Sequence, residues 1–188
     1  MHRVTIIEAT VYSQLKILVA EDESAIRLQY HILLQERGHD VVSTENGRVC
    51  LDAYRMAFTV RQSKSRFGQQ PPFDVVLLDY RMPELDGLET AREILKLCPG
   101  QRVIFASAYA AETLKEATKD LHQIVELIQK PFALEELVEV VEDFEVYRQL
   151  ASLNVGVKQL KEHNLSLSEL AGLLSGVERL QKMVVPSR

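Results

Sequence analysis

The polar residues able to do chemistry in this 188-residue chain fall in one kind of place, directly after short apolar runs. Glu21 and Asp22 follow Ile17-Leu18-Val19-Ala20, and Asp79 closes Val75-Val76-Leu77-Leu78. Ser107 closes Val103-Ile104-Phe105-Ala106, and Lys130 follows the run Ile124 to Ile128. Carboxylates brought together repel, and without a cation some of them protonate. A hard divalent ion relieves this. Mg²⁺ takes one or two carboxylates, keeps several waters and accepts a phosphate oxygen. A carboxylate beside it can attack phosphorus and become an aspartyl phosphate. The transferring group then needs a cation to balance its charge, which Lys130 can supply. A Ser107 hydroxyl can hydrogen-bond a phosphoryl oxygen. Together these groups amount to a phosphoryl-transfer site in which positioning and electrostatics do most of the work.

Such a site needs a frame that brings strand ends together. Lys16–Ala20 and Asp40–Thr44 read as strands, as do Phe73–Asp79, Arg102–Ser107 and Ile124–Ile128. Between them lie helical patterns: Ala25–Glu36, a stretch from Gly47 onward, Leu88–Leu97, Glu112–Asp120 and a helix from Leu134. Gly38 and Pro99-Gly100 read as stop signals. Continuous apolar strands alternating with helices mean βαβ units and a parallel sheet buried on both faces. Right-handed crossovers leave a doubly wound sheet as the main topology, with ligands at the carboxyl ends of its strands. The fold class is therefore α/β: a doubly wound, five-stranded parallel sheet. Asp86-Gly87 reads as a turn.

At this point the residues resemble a known family. Ile17-Leu18-Val19-Ala20-Glu21-Asp22-Glu23, Leu77 to Gly87 (with Asp79-Tyr80-Arg81-Met82-Pro83 inside it), Phe105-Ala106-Ser107-Ala108 and Lys130-Pro131-Phe132 look like the receiver domain of two-component response regulators. Each motif alone is weak; four in order, each at a strand end, are specific. The resemblance covers about Leu15 to Glu145. It implies a flavodoxin-like sheet with strand order 2-1-3-4-5. It implies that Asp79 is the phosphoacceptor, that Asp22 binds Mg²⁺ directly, and that Glu21 acts on the ion through water. The backbone carbonyl of Arg81 matches the remaining protein ligand, Ser107 the switch hydroxyl and Lys130 the phosphoryl-contacting lysine. It also implies a cis Lys130-Pro131 bond. The implied function is that of a response regulator, not an enzyme in the ordinary sense. It takes part in its own phosphoryl transfer from a sensor histidine kinase or phosphotransfer protein. It then signals through the face made by the fourth strand, fourth helix and fifth strand.

Three residues depart from the family pattern. Glu21 stands where Asp is commoner, which a water-mediated role tolerates. Leu127, three before Lys130, stands where a Tyr or Phe switch is usual, a departure from the coupling of Ser107 to an aromatic rotamer. Arg81 and Tyr109, two after Asp79 and two after Ser107, are both large and could screen an aspartyl phosphate from water, giving slow self-dephosphorylation. A phosphatase with an aspartate nucleophile is a competing reading. It needs a second Asp two residues after the nucleophile, where Arg81 stands, so the general acid is missing.

The rest of the chain is organised around this unit. The expected boundaries are an N-terminal extension 1–14, a receiver domain 15–145 with a polar, basic insert 61–72, and a helical C-terminal extension 146–188. The last helix of the receiver reads as long, Leu134 to Leu153, and is broken at Asn154 and Gly156. Val157–His163 and Ser166–Met183 then form two helical patterns, the second with an apolar stripe at Leu167, Leu170, Leu173, Leu174, Val177 and Leu180. That hairpin is too short for its own core. It reads as a dimerising or docking appendage. A helix-turn-helix contact with DNA is the alternative, disfavoured because its only basic residues, Arg179 and Lys182, come late. The net charge of −5 excludes a uniformly basic nucleic-acid binder. It divides unevenly, with six basic and three acidic residues in 146–188 and an acidic excess before them. Docking of the tail on the receiver, or on a twin, would use these opposite signs. With 46% hydrophobic residues the chain can bury a real core. No apolar run approaches the ~20 residues of a membrane span, and Met1–Gln14 lacks a signal-peptide core. Cys50 and Cys98 fit neither a metal site nor a disulfide framework, and a reducing cytoplasm is expected. His2, His31, His39, His122 and His163 lack metal spacing and read as surface groups.

Overall fold

The computed structural model describes residues 14–64, 70–109, 125–142, 169 and 172–177. Its strands are β1 (Lys16–Ala20), β2 (Asp40–Thr44), β3 (Val75–Asp79), β4 (Val103–Ser107) and β5 (Val125–Gln129). The helices between them are α1 (Ser24–Glu36), α2 (Gly47–Lys64) and α3 (Gly87–Leu97). The strands form one five-stranded sheet in the order β2-β1-β3-β4-β5, and every pairing is parallel. The order reverses at β1, with β2 on one side and β3 on the other. That reversal is the switch point at which a doubly wound sheet opens a crevice.

The apolar runs form strands because both faces are covered. Leu18, Ala20, Val76, Leu78, Val103 and Phe105 lie in one buried cluster with Cys50, Leu51 and Tyr54 of α2 and Leu88, Ala91 and Ile94 of α3. The alternate residues Ile17, Val19, Val75, Leu77 and Ile104 are equally buried and point the other way. Tyr30 and Leu34 are the buried residues of α1. Each such Val, Leu, Ile or Phe side chain contributes about 1.5–3 kcal/mol by leaving water. The ends of the helices are set locally. Asp86 caps α3, its Oδ1 accepting from the Glu89 N–H at 2.8 Å. Gly38, at φ 92°, takes the left-handed turn after α1. Asp86-Gly87 is thus a helix start and not simply a turn.

Two polar groups anchor the amino-terminal edge of the sheet. Gln101 is buried, accepts from the Tyr54 hydroxyl at 3.0 Å and donates to the Phe73 carbonyl at 3.0 Å. Arg102 makes a two-pronged ion pair with Glu126 on β5, at 2.8 and 2.7 Å. His39 corrects the expectation of surface histidines. It is buried, and its Nδ1 accepts the Leu15 N–H at 3.4 Å, tying the start of β1 to the approach to β2. Cys50 and Cys98 are buried free thiols, and burial pushes the Cys50 thiol up to about 12. Arg61 to Lys64, the first residues of the expected insert, continue α2.

The chain divides into two compact units, Gln14–Leu134 and Met1–Ser13 with Glu135–Arg188. In the second unit, 135–142 and 172–177 are helical. The helix expected at Glu112–Asp120, the first tail helix and most of the long last helix lie outside the described residues. No helix among the described residues is long and apolar enough to cross a membrane.

Candidate functional site

Because all five strands are parallel, the ends of β1, β3, β4 and β5 meet at one edge, and the sequence-predicted residues meet with them. Carboxylate oxygens of Glu21, Asp22 and Asp79 lie within 4.8 Å of one another. Lys130 lies between two of these acids. Its Nζ donates to Glu21 Oε2 at 2.7 Å and to Asp79 Oδ1 at 3.1 Å. Glu21 is only 1% exposed, Asp79 12% and Lys130 19%. Asp22 faces solvent.

Burial raises the pKa of Glu21 above the usual carboxylate range, against the pull of its Lys130 hydrogen bond. Burial does the same to Asp79, again opposed by Lys130 and assisted by the charge of Asp22. For Lys130, burial works against the charge, but the Glu21 hydrogen bond and the charges of Asp79 and Glu21 outweigh it and hold the ammonium form. Three carboxylates against one ammonium leave two formal negative charges in a half-buried pocket. The Oε1 of Glu21 is buried with no hydrogen-bond partner among the described residues. An orphaned buried acceptor beside surplus negative charge suits a hydrated divalent cation, and an all-oxygen donor set selects a hard one.

Each loop is fixed by contacts of its own. The Glu21 N–H donates to the Thr44 carbonyl at 3.1 Å, and Thr44 Oγ1 donates to the Val19 carbonyl at 2.8 Å. From α1, Arg27 Nη1 donates to the carbonyls of Glu21 (2.6 Å) and Asp22 (3.1 Å). The loop after Asp79 folds back sharply. The Gly87 N–H donates to the Tyr80 carbonyl at 3.0 Å, and a Cβ on Gly87 would lie 2.1 Å from the Asp79 carbonyl oxygen. Glu84 sits there at φ 67°, its carboxylate held by Asn46 Nδ2 at 3.2 Å. A Cβ on Gly47 would lie 2.1 Å from Thr90 Oγ1 and 2.2 Å from the Leu85 carbonyl oxygen. Only glycine allows these approaches.

Ser107 is buried at the end of β4, and the Lys130 N–H donates to its carbonyl at 2.7 Å. Its hydroxyl accepts the Tyr109 N–H at 3.1 Å. The Lys130-Pro131 bond is cis. Leu127 pairs with Phe105 across β4 and β5 and is partly buried against the core, so no aromatic side chain stands at that position. Arg81 and Tyr109 do meet. The guanidinium lies 5.4 Å from the Tyr109 ring centre and 5.8 Å from that of Tyr80, and the two rings meet edge-on at 5.6 Å.

Arg27, Asn46 and Glu84 escaped the sequence reading. For Arg27 a signal existed: an arginine near the amino end of a helix, where the helix dipole disfavours a cation. Asn46 before Gly47 is a helix-cap pattern, and its Oδ1 does accept the Val49 N–H at 2.9 Å. Nothing local announces Glu84.

A doubly wound sheet whose switch-point edge gathers an acid pair, a third acid and a lysine defines a class of phosphoryl-accepting α/β domain. Residues 17–142 match the family model of the response regulator receiver domain. The chain belongs to that family and is a two-component response regulator. It is 31% identical over 127 residues to the response regulator receiver protein CpdR of Brucella abortus, covering 68% of this chain and 93% of the relative. It is 26% identical over 129 residues to sporulation initiation phosphotransferase F of Bacillus subtilis, covering 69% of this chain and 92% of the relative. Its fold is similar to the receiver domain of the histidine kinase CKI1 from Arabidopsis thaliana complexed with Mg²⁺. The TM-score is 0.59 at 24% identity, over 69% of this chain and 91% of that one.

Proposed function

We propose that Asp79 accepts a phosphoryl group from the phosphohistidine of a sensor kinase or phosphotransfer protein. The observation that carries the reading is Lys130 Nζ held between Glu21 and Asp79, beside an orphaned Glu21 oxygen. In the transfer, an Asp79 carboxylate oxygen bonds to phosphorus as the P–N bond to the donor imidazole breaks, and the imidazole nitrogen keeps the bonding pair. Lys130 releases Asp79 and follows the negative charge onto the phosphoryl oxygens, its second contact to Glu21 keeping it in range. The Ser107 hydroxyl, within the same edge, donates to a phosphoryl oxygen. Asp22, Asp79 and the Arg81 carbonyl are the residues that would hold Mg²⁺, with Glu21 acting through water. When bound, the ion offsets the surplus carboxylate charge and polarises the phosphoryl group.

The chain is thereby a phosphoacceptor that takes part in its own modification and not a turnover catalyst. Residues 15–145 act as the receiver, with the insert 61–72 within it and 1–14 before it. Residues 146–188 form a helical extension through which a homodimer or a docked tail responds to phosphorylation, in a cytoplasmic setting. Nothing in the site favours a phosphatase or DNA contact over this reading. Incubation with a small phosphodonor and Mg²⁺, followed by intact-mass and oligomer-size measurements, tests it. An adduct on the parent protein that is lost in Asp79→Ala is expected. No adduct from either the small donor or a phosphohistidine protein overturns it.

A further inference from the structure

Among the described helices, α1 contacts both halves of the site. Arg27 and Tyr30 lie one turn apart on this helix, and neighbours at that spacing share a face. Arg27 reaches the β1 side: one guanidinium nitrogen, Nη1, donates to both the Glu21 and the Asp22 carbonyls. Tyr30 reaches the β5 side, where its ring stacks on Phe132, two residues after Lys130, with centres 6.0 Å apart and planes 19° apart. Tyr30 is buried, and burial first, then its acidic neighbours against Lys130, push its phenol up to about 12. It therefore stays a neutral ring.

Tyr30 belongs to the buried face of the helix, but Arg27 is not explained by the helix itself. Arg27 stands in the second turn, where the dipole opposes a cation, and the first turn of α1 holds no acid to pair with it. What it gains is two charge-assisted hydrogen bonds, which tie α1 to a loop held on its other side by the Thr44 carbonyl and by the Lys130 contact to Glu21. Both carbonyls belong to residues whose side chains make the acidic group. Their peptide orientation sets where those carboxylates point.

We propose that α1 is a clamp that positions the site. Arg27 fixes the Glu21–Asp22 loop, Tyr30 fixes the Lys130 loop through Phe132, and the rigid turn between them sets the spacing of acids and lysine. Arg27 and Tyr30 are positioning residues and touch neither phosphoryl group nor ion. The inference rests on the proposed cation site for its affinity readout, but not for its structural one.

The test uses the full chain and the variants Arg27→Ala, Arg27→Lys and Arg27→Gln, with Tyr30→Leu and Tyr30→Phe. Mg²⁺ affinity is measured by titration calorimetry without phosphodonor. Amide hydrogen exchange is measured in the metal-free protein. Outer-shell partners of metal ligands are commonly worth ~10–100-fold in affinity. Arg27→Ala is expected to weaken Mg²⁺ about tenfold and to speed exchange at Glu21 to Ser24, with the amides of β3 and β4 unmoved. Arg27→Lys and Arg27→Gln, which keep a donor, should recover part of both. Tyr30→Leu should speed exchange around Lys130, and Tyr30→Phe should not. Unchanged affinity and unchanged loop exchange in Arg27→Ala overturn the clamp. If the parent protein itself fails to bind Mg²⁺, the proposed cation site falls, and the metal-free exchange still decides the clamp. Should Arg27→Ala not fold, Arg27→Met, which keeps the side-chain length and removes the donor, against Arg27→Lys carries the same comparison.

Discussion

Just beyond Asp79 in the chain, Tyr80 and Arg81 cluster with Tyr109, and this cluster is expected to act as a small roof over a phosphorylated Asp79. Arg81 lies over two rings, and Tyr109 meets Tyr80 edge-on. An exposed cation–π contact is worth ~0.5–1 kcal/mol and an aromatic pair ~0.5–1.5 kcal/mol beyond its area. If water reaches the phosphorylated Asp79 only when the roof opens, the strength of these contacts sets how rarely that happens. Arg81→Asn removes both cation contacts, about 1–2 kcal/mol. Tyr109→Ala removes one cation contact and the ring pair, about 1–2.5 kcal/mol. At 1.36 kcal/mol per factor of ten, either change should speed phosphate loss by about tenfold. Tyr109 is 41% exposed, so opening the roof needs no rearrangement of the core. The assay loads Asp79 from a small phosphodonor, removes the donor, and follows decay of the adduct by intact mass with Mg²⁺ present. Tyr109→Phe keeps the ring and should decay at the parent rate. If neither Arg81→Asn nor Tyr109→Ala accelerates decay, the roof does not control water and the reasoning fails.

Other perturbations have equally definite outcomes. Glu21 and Asp79 have raised folded pKa values, so the folded state binds more protons than the unfolded state above the ordinary carboxylate range. Their contribution to stability is therefore present at low pH and is lost as pH rises through the raised values. In chelator, Asp79→Asn should raise Tm at pH 7 and flatten its fall with pH; an unchanged Tm–pH curve would contradict this. Lys130→Met leaves Glu21 buried beside Asp79 without its cation, and should lower unfolding free energy by a few kcal/mol at neutral pH. Adding Glu21→Gln should restore much of it in denaturant titrations. Gly87→Ala must push the Asp79 carbonyl aside and should cost about 1–3 kcal/mol, together with slower adduct formation. Wild-type behaviour in both measurements would show that the loop yields freely. Asp86→Ala removes the α3 cap and should cost about 1 kcal/mol in thermal unfolding, with little effect on Mg²⁺ affinity.

Much of this arrangement is legible in the residues, for identifiable reasons. Lys16–Ala20 falls at the expected position because its apolar run is buried on both faces, and Asp40–Thr44 because a β-branched run follows the Gly38 helix stop, although this edge strand is only partly buried. β5 runs one residue past the expected Ile128, since Gln129 pairs with Ser107 in the ladder although nothing apolar marks it. Glu21, Asp22, Asp79 and Lys130 converge as strand-end logic requires. Less could be read where the signal is three-dimensional. His39 looks like a surface histidine until the Leu15 N–H is found to need an acceptor. Glu84 adopts a positive φ without being Gly or Asn, and its support from Asn46 comes from a residue 38 positions away. Arg27 and Tyr30 read as ordinary helix residues because their partners are backbone carbonyls and a ring on a distant loop.

The contact at Gly47 gives α2 mechanical leverage. Its first residue rests against the Leu85 carbonyl and Thr90, so the loop that leaves Asp79 acts as the fulcrum of an 18-residue rod. At 1.5 Å per residue that rod is about 27 Å long, and a tilt of about 5° at its base sweeps the far end through roughly 2 Å. Movements of the β3–α3 loop too small to follow directly would be magnified at Ser63, which is exposed and lies at the opposite end of α2 from Gly47. A spin label or fluorophore there would act as a pointer on the state of Asp79 while leaving the site chemically untouched.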